Sequence, residues 1–335
     1  MRNKLLSSCT RTTVLGWLLL VASAAQADDS AQAQRLLTGI SEAARTTSYE
    51  GTFIYRHRGN LEALRVVHKV SEEGVRERLY ALTGPAREIV RDNEKVSCYL
   101  PDDREVVIDR LQLQNPLNGA VPKDVDGLLP HYRLDLIGDG RVAGREAVQI
   151  GVWPRDEYRY GYRFWVDRAT GLLLRSDLMS GEGEPIEQLM FTELLAPAEI
   201  SDAALQPSVE GYDFSWRRLE EGPTATVPTQ PSAWAVEELP AGFELAVHEM
   251  RRLPGSDEPV EHLLFSDGLT NVSVYIEKIN PEESFSGHSR VGAVSAYGKA
   301  VDTHQVTAVG EVPQITVETI AEAVRLSENG SAQAN

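Results

Sequence analysis

The stretch that decides the fold is FWVDRATGLLLRSDLM, Phe164 to Met179, with YRYGYR, Tyr158 to Arg163, leading into it. Side chains alternate between the faces of a strand, so a period of two is the mark of a sheet. Tyr158, Tyr160, Tyr162, Phe164 and Val166 fall on one apolar face, while Arg159, Gly161, Arg163 and Trp165 fall on the other. Asp167 to Gly171 reads as a hairpin turn. Beyond it Leu172, Leu174 and Leu178 share a face, and Leu173 and Met179 take the opposite one. The next segment sets Ile186, Gln188, Met190 and Leu194 against Glu187, Leu189, Phe191 and Glu193. A sheet that faces water on one side keeps that side polar, and here the second face is mixed. Two readings stay open. The sheet is covered by helices on one side and a long loop on the other, or it is a curved, incompletely closed barrel around an apolar hollow. Such a hollow would suit a lipid, since burying acyl carbons stabilises by about 0.8 kcal/mol per CH₂.

The same period extends outward, in segments of about ten residues parted by Gly, Pro or Asn turns. Thr52 to His57 turns at Arg58-Gly59-Asn60 and returns from Ala63 to Val70; Glu77 to Leu82 and Arg87 to Arg91 follow. Val142 to Val152 comes after a turn read at Gly138-Asp139-Gly140, and Pro116, Pro122 and Pro130 interrupt the sheet as a long loop with a helical turn. Before the sheet, Leu36, Ile40, Ala43 and Ala44 recur at helical spacing within 30–46, with Asp28, Asp29 or Ser30 as the cap. The expected class is α+β: a large N-terminal half-open antiparallel barrel packed on helices, and a smaller α+β C-terminal domain. In the second domain Phe243 to Arg252, His262 to Ser266, Leu269 to Glu277 and Thr303 to Val309 read as strands, with a helix through Val317, Ile320 and Val324 after Pro313.

The ends and the composition narrow the function. Arg2, Lys4 and Arg11 precede the apolar run Val14 to Ala22, and Ala25-Gln26-Ala27 precedes Asp28. That is the pattern of a secretory signal over 1–27 cleaved between Ala27 and Asp28. The domains are expected at 28–219 and 233–326, joined by a Pro- and Thr-rich linker at 220–232 and followed by a flexible tail at 327–335. The net charge is −17, and it becomes −20 once the three basic residues of the signal are gone. An acidic chain makes a poor nucleic-acid binder. Of two cysteines only Cys98 survives cleavage, in a strand-like VSCYL, so it reads as a buried thiol and no internal disulfide forms.

Chemistry-bearing motifs are scarce. Gly287-His288-Ser289-Arg290-Val291 lacks the last glycine of a nucleophile elbow and reads as a Ser- and Gly-rich loop. The seven histidines are scattered without metal-ligand spacing. No catalytic residue, metal or cofactor is expected. Arg56, His57, Arg58, Arg65, His68, Lys69, Arg76 and Arg78 make a basic cluster. It is either the solvated side of strands or a site for phosphates or a partner's acidic groups, for which Arg56, Arg58 and Arg65 are the candidates.

Several stretches together resemble the RseB/MucB family of periplasmic sigma-factor regulators: GPAREIVR from Gly84, VSCYLP from Val96, YRYGYR from Tyr158, FSDGL from Phe265 and HQVTAVGEVP from His304. The resemblance runs from about 48 to 325. It implies an N-terminal domain shaped like lipoprotein carriers and no catalysis. It also implies binding to the periplasmic part of a membrane-spanning anti-sigma factor of the MucA/RseA kind. That binding would shield the anti-sigma factor from the first protease of the envelope-stress cascade, with lipopolysaccharide or another lipid causing release and alginate control as the output. A periplasmic lipid or lipoprotein carrier is the alternative, and a homo-oligomer stays open. The candidate lipid surface is Tyr160, Tyr162, Phe164, Trp165, Leu172 and Leu174. The candidate partner groove lies at Ser266-Asp267-Gly268, a triplet that also reads as a plain Asp-Gly hairpin turn.

Overall fold

The computed structural model describes residues 11–93, 95–109, 121, 122, 124–209, 214–218, 234–251, 258–279 and 284–326. The linker expected at 220–232 and the tail at 327–335 lie outside the described residues.

The first domain begins with helix α1, Arg11–Thr46. It runs past the cap expected at Asp28 to Ser30, because Leu- and Ala-rich sequence on both sides keeps helix propensity high. Strands then follow as β1 (Tyr49–His57), β2 (Asn60–Ser71), β3 (Gly74–Ala81), β4 (Glu88–Asp92), β5 (Lys95–Leu100) and β6 (Glu105–Asp109). Most of the loop expected around Pro116 lies outside the described residues, which include a helical turn at Asp126–Leu128; then come β7 (Tyr132–Val142), β8 (Arg145–Pro154), β9 (Gly161–Asp167), β10 (Leu173–Met179), β11 (Pro185–Leu195) and β12 (Ser215–Arg218). They form one 12-stranded sheet in the order β12-β6-β5-β4-β3-β2-β1-β11-β10-β9-β8-β7. Every pairing is antiparallel except the short β12 alongside β6. The linear order leaves the sheet open.

The second domain holds β13 (Trp234–Val236), β14 (Glu244–Arg251), β15 (Val260–Ser266), β16 (Asn271–Lys278), β17 (Gly287–Val291), β18 (Val294–Val301), β19 (His304–Gly310), α2 (Gln314–Ala323) and β20 (Val324–Leu326). Six of them make a sheet ordered β14-β15-β16-β19-β18-β17, and β13 pairs with β20. Val317, Ile320 and Ala321 of α2 pack on Leu263, Phe265, Val274 and Val306 of that sheet.

Three expectations are corrected. The protein is mostly β, with α1 and α2 the only α-helices among the described residues, so the large sheet rests on one helix rather than several. Gly138-Asp139-Gly140 is no turn: β7 runs through it, accommodating the irregularity as a register shift between Leu136 and Gly138. Gly138 takes φ 142°, which only glycine adopts readily. The chain turns instead at Ala143-Gly144, between β7 and β8. Finally, Gly287 to Val291 is not a loop but the edge strand β17, paired residue for residue with β18.

The opening stretch becomes the β9–β10 hairpin, with Leu173 opposite Val166 and Leu178 opposite Tyr162. Its turn is fastened by Asp167. That carboxylate accepts from Arg145 Nη2 at 2.8 Å, from Thr170 Oγ1 at 2.6 Å and from the Thr170 N–H at 3.1 Å. On one face Tyr160, Tyr162, Phe164 and Val166 close onto Ala33, Leu37 and Ile40 of α1. Each fully buried Leu, Ile or Phe contributes roughly 1.5–3 kcal/mol. Residues i, i+4 and i+7 of one helix face therefore cover this face of the sheet. Cys98 is buried, as its strand setting implies, and burial pushes its thiol pKa up against the lowering effect of Arg87.

Candidate functional site

The site with the densest chemistry lies where the two domains meet. Two hairpin tips of the second domain enter the core of the first. Leu269, from the β15–β16 hairpin, and Ala293, from the β17–β18 hairpin, are buried among Tyr132, Tyr160 and Tyr162. In return Tyr158 packs against the core of the second domain, and its carbonyl accepts from Thr316 Oγ1 at 2.8 Å.

A polar latch crosses the same junction. Arg159 and Asp267 both have side chains with no solvent exposure, and Nε of the arginine lies 2.6 Å from Oδ2 of the aspartate. Tyr132 donates its hydroxyl to the same Oδ2 at 2.9 Å. The other carboxylate oxygen accepts the N–H groups of Leu269 at 2.9 Å and Thr270 at 2.8 Å. Arg159 also donates to Asp156 and to the Ala241 carbonyl, and its guanidinium stands over the rings of Phe243 and Tyr132 at 4.9 and 5.7 Å. Burial works against the arginine's charge, but the hydrogen bonds to Asp267 and Asp156 outweigh it and hold its pKa above the ordinary value. Burial first, and the Asp267 carboxylate second, push the Tyr132 hydroxyl far above the usual tyrosine range. Every acceptor position of Asp267 that faces protein is taken.

This geometry revises the sites read from sequence. Ser266-Asp267-Gly268 is indeed the β15–β16 turn, but Asp267 is spent on the junction and is not presented to a partner. Arg159, placed by periodicity on the mixed face, is the residue sequence reasoning missed. Its one signal was an arginine inside a run of five aromatics, Tyr158 to Trp165. The lipid-face candidates are all closed in: Tyr160, Tyr162, Phe164, Trp165, Leu172 and Leu174 are between 0 and 7% exposed. Trp165, Leu172 and Leu174 join a second core with Phe53, Phe191 and Leu189. Between α1 and this sheet, the cavity lined by Ile40, Ala44, Tyr49, Leu172, Leu173, Phe191 and Leu194 has about 20 Å³ of room, enough for a water molecule or two.

The arginine candidates do not converge. Arg56 donates to Gln188 at 3.0 Å and to the Pro185 carbonyl at 2.8 Å, while Arg65 pairs with Glu50 at 3.1 Å. Arg58 stands apart, exposed at the β1–β2 turn against Gly292 of the second domain. Lys69 and Arg76 hold Asp202, and Arg78 holds Glu88. His68 is buried between Glu77, 3.0 Å from Nδ1, and the Ala44 carbonyl, 2.8 Å from Nε2. It thereby ties the last turn of α1 to the sheet.

One arrangement looks catalytic and is not. In the second domain Glu249, His262 and Ser273 line up, with His262 Nδ1 3.2 Å from the carboxylate and Nε2 3.1 Å from the hydroxyl. All three sit on adjacent paired strands, where the backbone N–H groups are committed to the ladder and form no oxyanion hole. Ser289 has no better context, lying on a strand opposite Ala296. Among the described residues no cluster of three or more His, Cys, Asp or Glu side chains is placed to hold a metal ion.

Comparison with known proteins follows the same two-domain division. The chain matches the MucB/RseB N-terminal domain over residues 32–209 and the MucB/RseB C-terminal domain over residues 228–325. It is 36% identical over 320 residues to the sigma factor AlgU regulatory protein MucB of Pseudomonas aeruginosa, covering 94% of this chain and 98% of that protein. To the sigma-E factor regulatory protein RseB of Escherichia coli K12 it is 29% identical over 324 residues, covering 96% and 97%. Among solved structures, the complex of Pseudomonas aeruginosa MucA and MucB superposes with a TM-score of 0.72 at 33% identity, over 88% of this chain and 99% of that one.

Proposed function

The chain belongs to the MucB/RseB family of non-enzymatic regulatory proteins, and on that premise we propose that it is a periplasmic negative regulator of an envelope-stress sigma factor. It binds the periplasmic part of a MucA-like anti-sigma factor, shields that part from the first regulatory cleavage, and lets go when lipopolysaccharide or a related lipid arrives. Alginate control is the corresponding output. Residues 1–27 act as the export signal.

The observation that carries this reading is the match of both domains, in order, to a MucB structure that includes MucA. A lipoprotein carrier would account for the large sheet and leave the second domain without a task. The tight packing of α1 on the sheet supports a regulator over a carrier, because among the described residues the cavity between them has only about 20 Å³ of room. A lipid must displace something to enter, which is what a release signal requires. If peptide and lipid favour different arrangements of the domains, each lowers the other's affinity by the same factor.

The test is retention of the periplasmic segment of a MucA-like anti-sigma factor on the immobilised chain, with and without lipopolysaccharide. Retention in lipid-free buffer and elution by the lipid are expected. No retention at all defeats the reading; retention that lipid leaves untouched defeats the release step alone.

A further inference from the structure

We propose that the outer edge of β17 is the docking rail for an extended segment of the partner, which adds to the second domain's sheet as a further strand. This rests on the reading that the chain binds a MucA-like periplasmic segment, and it adds where and how that segment is held.

An edge strand offers unpaired N–H and C=O groups, and proteins usually blunt such edges with bulges, inward charges or cover. The two edges of this sheet differ in that respect. β14 is interrupted by a register shift between Leu245 and Val247 and carries Glu244, Glu249 and Arg251. By contrast, β17 pairs without irregularity from Gly287 opposite Gly298 to Val291 opposite Val294. His288, Ser289, Arg290 and Val291 are all exposed, and among the described residues no strand pairs with their outer side. The two-residue loop Gly292-Ala293 makes Val291 and Val294 a hydrogen-bonded pair. Alternation along the ladder then turns the N–H and C=O of Arg290 and His288 outward.

The end of this rail is fixed in space. Ala293 is buried in the first domain, and a Cβ built on Gly292 would stand 3.1 Å from the Cα of Arg58. A strand added to β17 would therefore run along the second domain and arrive at the β1–β2 turn of the first. Its charge is also defined. Arg58 and Arg290 are exposed and form no salt bridge among the described residues, in a chain whose net charge is −17. Arg290 gives its Nε to the Gly292 carbonyl at 3.0 Å, and Arg58 feels Glu311 only at longer range. Val291, 56% exposed, supplies an apolar neighbour. The fitting occupant is an extended peptide with carboxylates flanking small apolar residues. A second copy of this chain fits badly, since antiparallel pairing of β17 with itself sets Arg290 and Arg58 against the same cations.

Proline separates main-chain from side-chain recognition. In Arg290→Pro the outward donor is lost while the inner ladder to β18 stays intact, as edge positions allow; Arg290→Ala removes only the side chain. Binding of the MucA-like periplasmic segment to the full-length chain is expected to weaken roughly tenfold or more in Arg290→Pro and by only a few-fold in Arg290→Ala. Equal losses in both variants, or none in either, overturn the proposal. Should Arg290→Pro fold poorly, amide exchange in the unaltered chain decides: the segment should slow exchange at His288 and Arg290, and unchanged exchange there refutes strand addition. A segment that fails to bind the unaltered chain defeats the regulator reading itself. Dimerisation lost in Arg290→Pro, with segment binding unchanged, would assign the edge to self-association instead.

Discussion

Asp267→Asn tests whether the buried latch holds the domains together. The substitution keeps the shape of the side chain and an oxygen for the N–H groups of Leu269 and Thr270. It removes the negative charge that faces Arg159 at 2.6 Å inside a site with no solvent exposure. Breaking a buried pair by removing one partner costs about 3–5 kcal/mol, because the remaining charge loses its compensation. Arg159 keeps Asp156 and the Ala241 carbonyl, so the lower end applies. A loss of about 3 kcal/mol shifts the balance between docked and separated domains by roughly 150-fold. The cost should fall on docking rather than on either core, since Arg159 and Asp267 come from different domains. Small-angle scattering reads the separation of the domains, and amide exchange at Leu269 and Thr270 reads the turn. Both should change in Asp267→Asn, while adding Arg159→Met, which removes the uncompensated charge and leaves an oxygen for Leu269 and Thr270, should recover much of the docking. If Asp267→Asn leaves the scattering profile and the exchange rates unaltered, the latch is not what joins the domains.

Two further outcomes are expected. Leu37→Ala, at a fully buried position of α1 against Tyr162 and Phe164, should lower unfolding free energy by about 2–5 kcal/mol in denaturant titration and open a cavity beside the sheet; a loss below about 1 kcal/mol would mean that α1 is not packed as described. His262 has its pKa held below the ordinary histidine value by burial, against the raising effect of Glu249. Its contribution is therefore complete above about pH 6.5 and is lost as pH falls through the depressed pKa, so the second domain should melt at lower temperature on acidification, and His262→Gln should flatten that dependence. An unchanged slope in the variant would remove His262 from the account.

Much of the large sheet was legible because period-two sequence has one simple solution. Thr52 to His57, Glu77 to Ala81 and the β9–β10 hairpin lie on observed strands, but Leu178 shares a core with Leu173 rather than with Leu172 and Leu174, because the pairing of β10 with β9 shifts register after Leu173. Local pattern failed where glycine has two meanings. Gly138 and Gly140 read as punctuation, yet one relaxes a bulge, and a Cβ on the other would meet Trp165. Similarly, Gly287-His288-Ser289 carried no apolar alternation, since an edge strand need not bury a face. The junction was the least legible part. Arg159 and Asp267 lie 108 residues apart, and only the fold reveals that a turn aspartate and a strand arginine neutralise each other. Of the two readings left open for this sheet, the structure shows the covered one: the N-terminal helix packs on the apolar face of Tyr160, Tyr162, Phe164 and Val166, and Trp165 of the mixed face joins the core of Phe53 and Phe191.

The way β1 joins the sheet has a consequence for how the molecule is made. Its two neighbours are the adjacent β2 and the distant β11, and Thr192 bonds back to Thr52 across 140 residues of chain. β1 through β6 arrive long before β11 does, so the half-sheet they form begins life with a naked seam along β1. Helix α1 is in the same position, waiting for β7 to β10 to supply the surface it covers. Contacts this far apart in sequence slow folding, and an unpaired seam that persists is a place where chains stick to one another. The interval for which the newly delivered chain needs protection is therefore set by the arrival of Pro185 to Leu195, the strand that makes the two halves one.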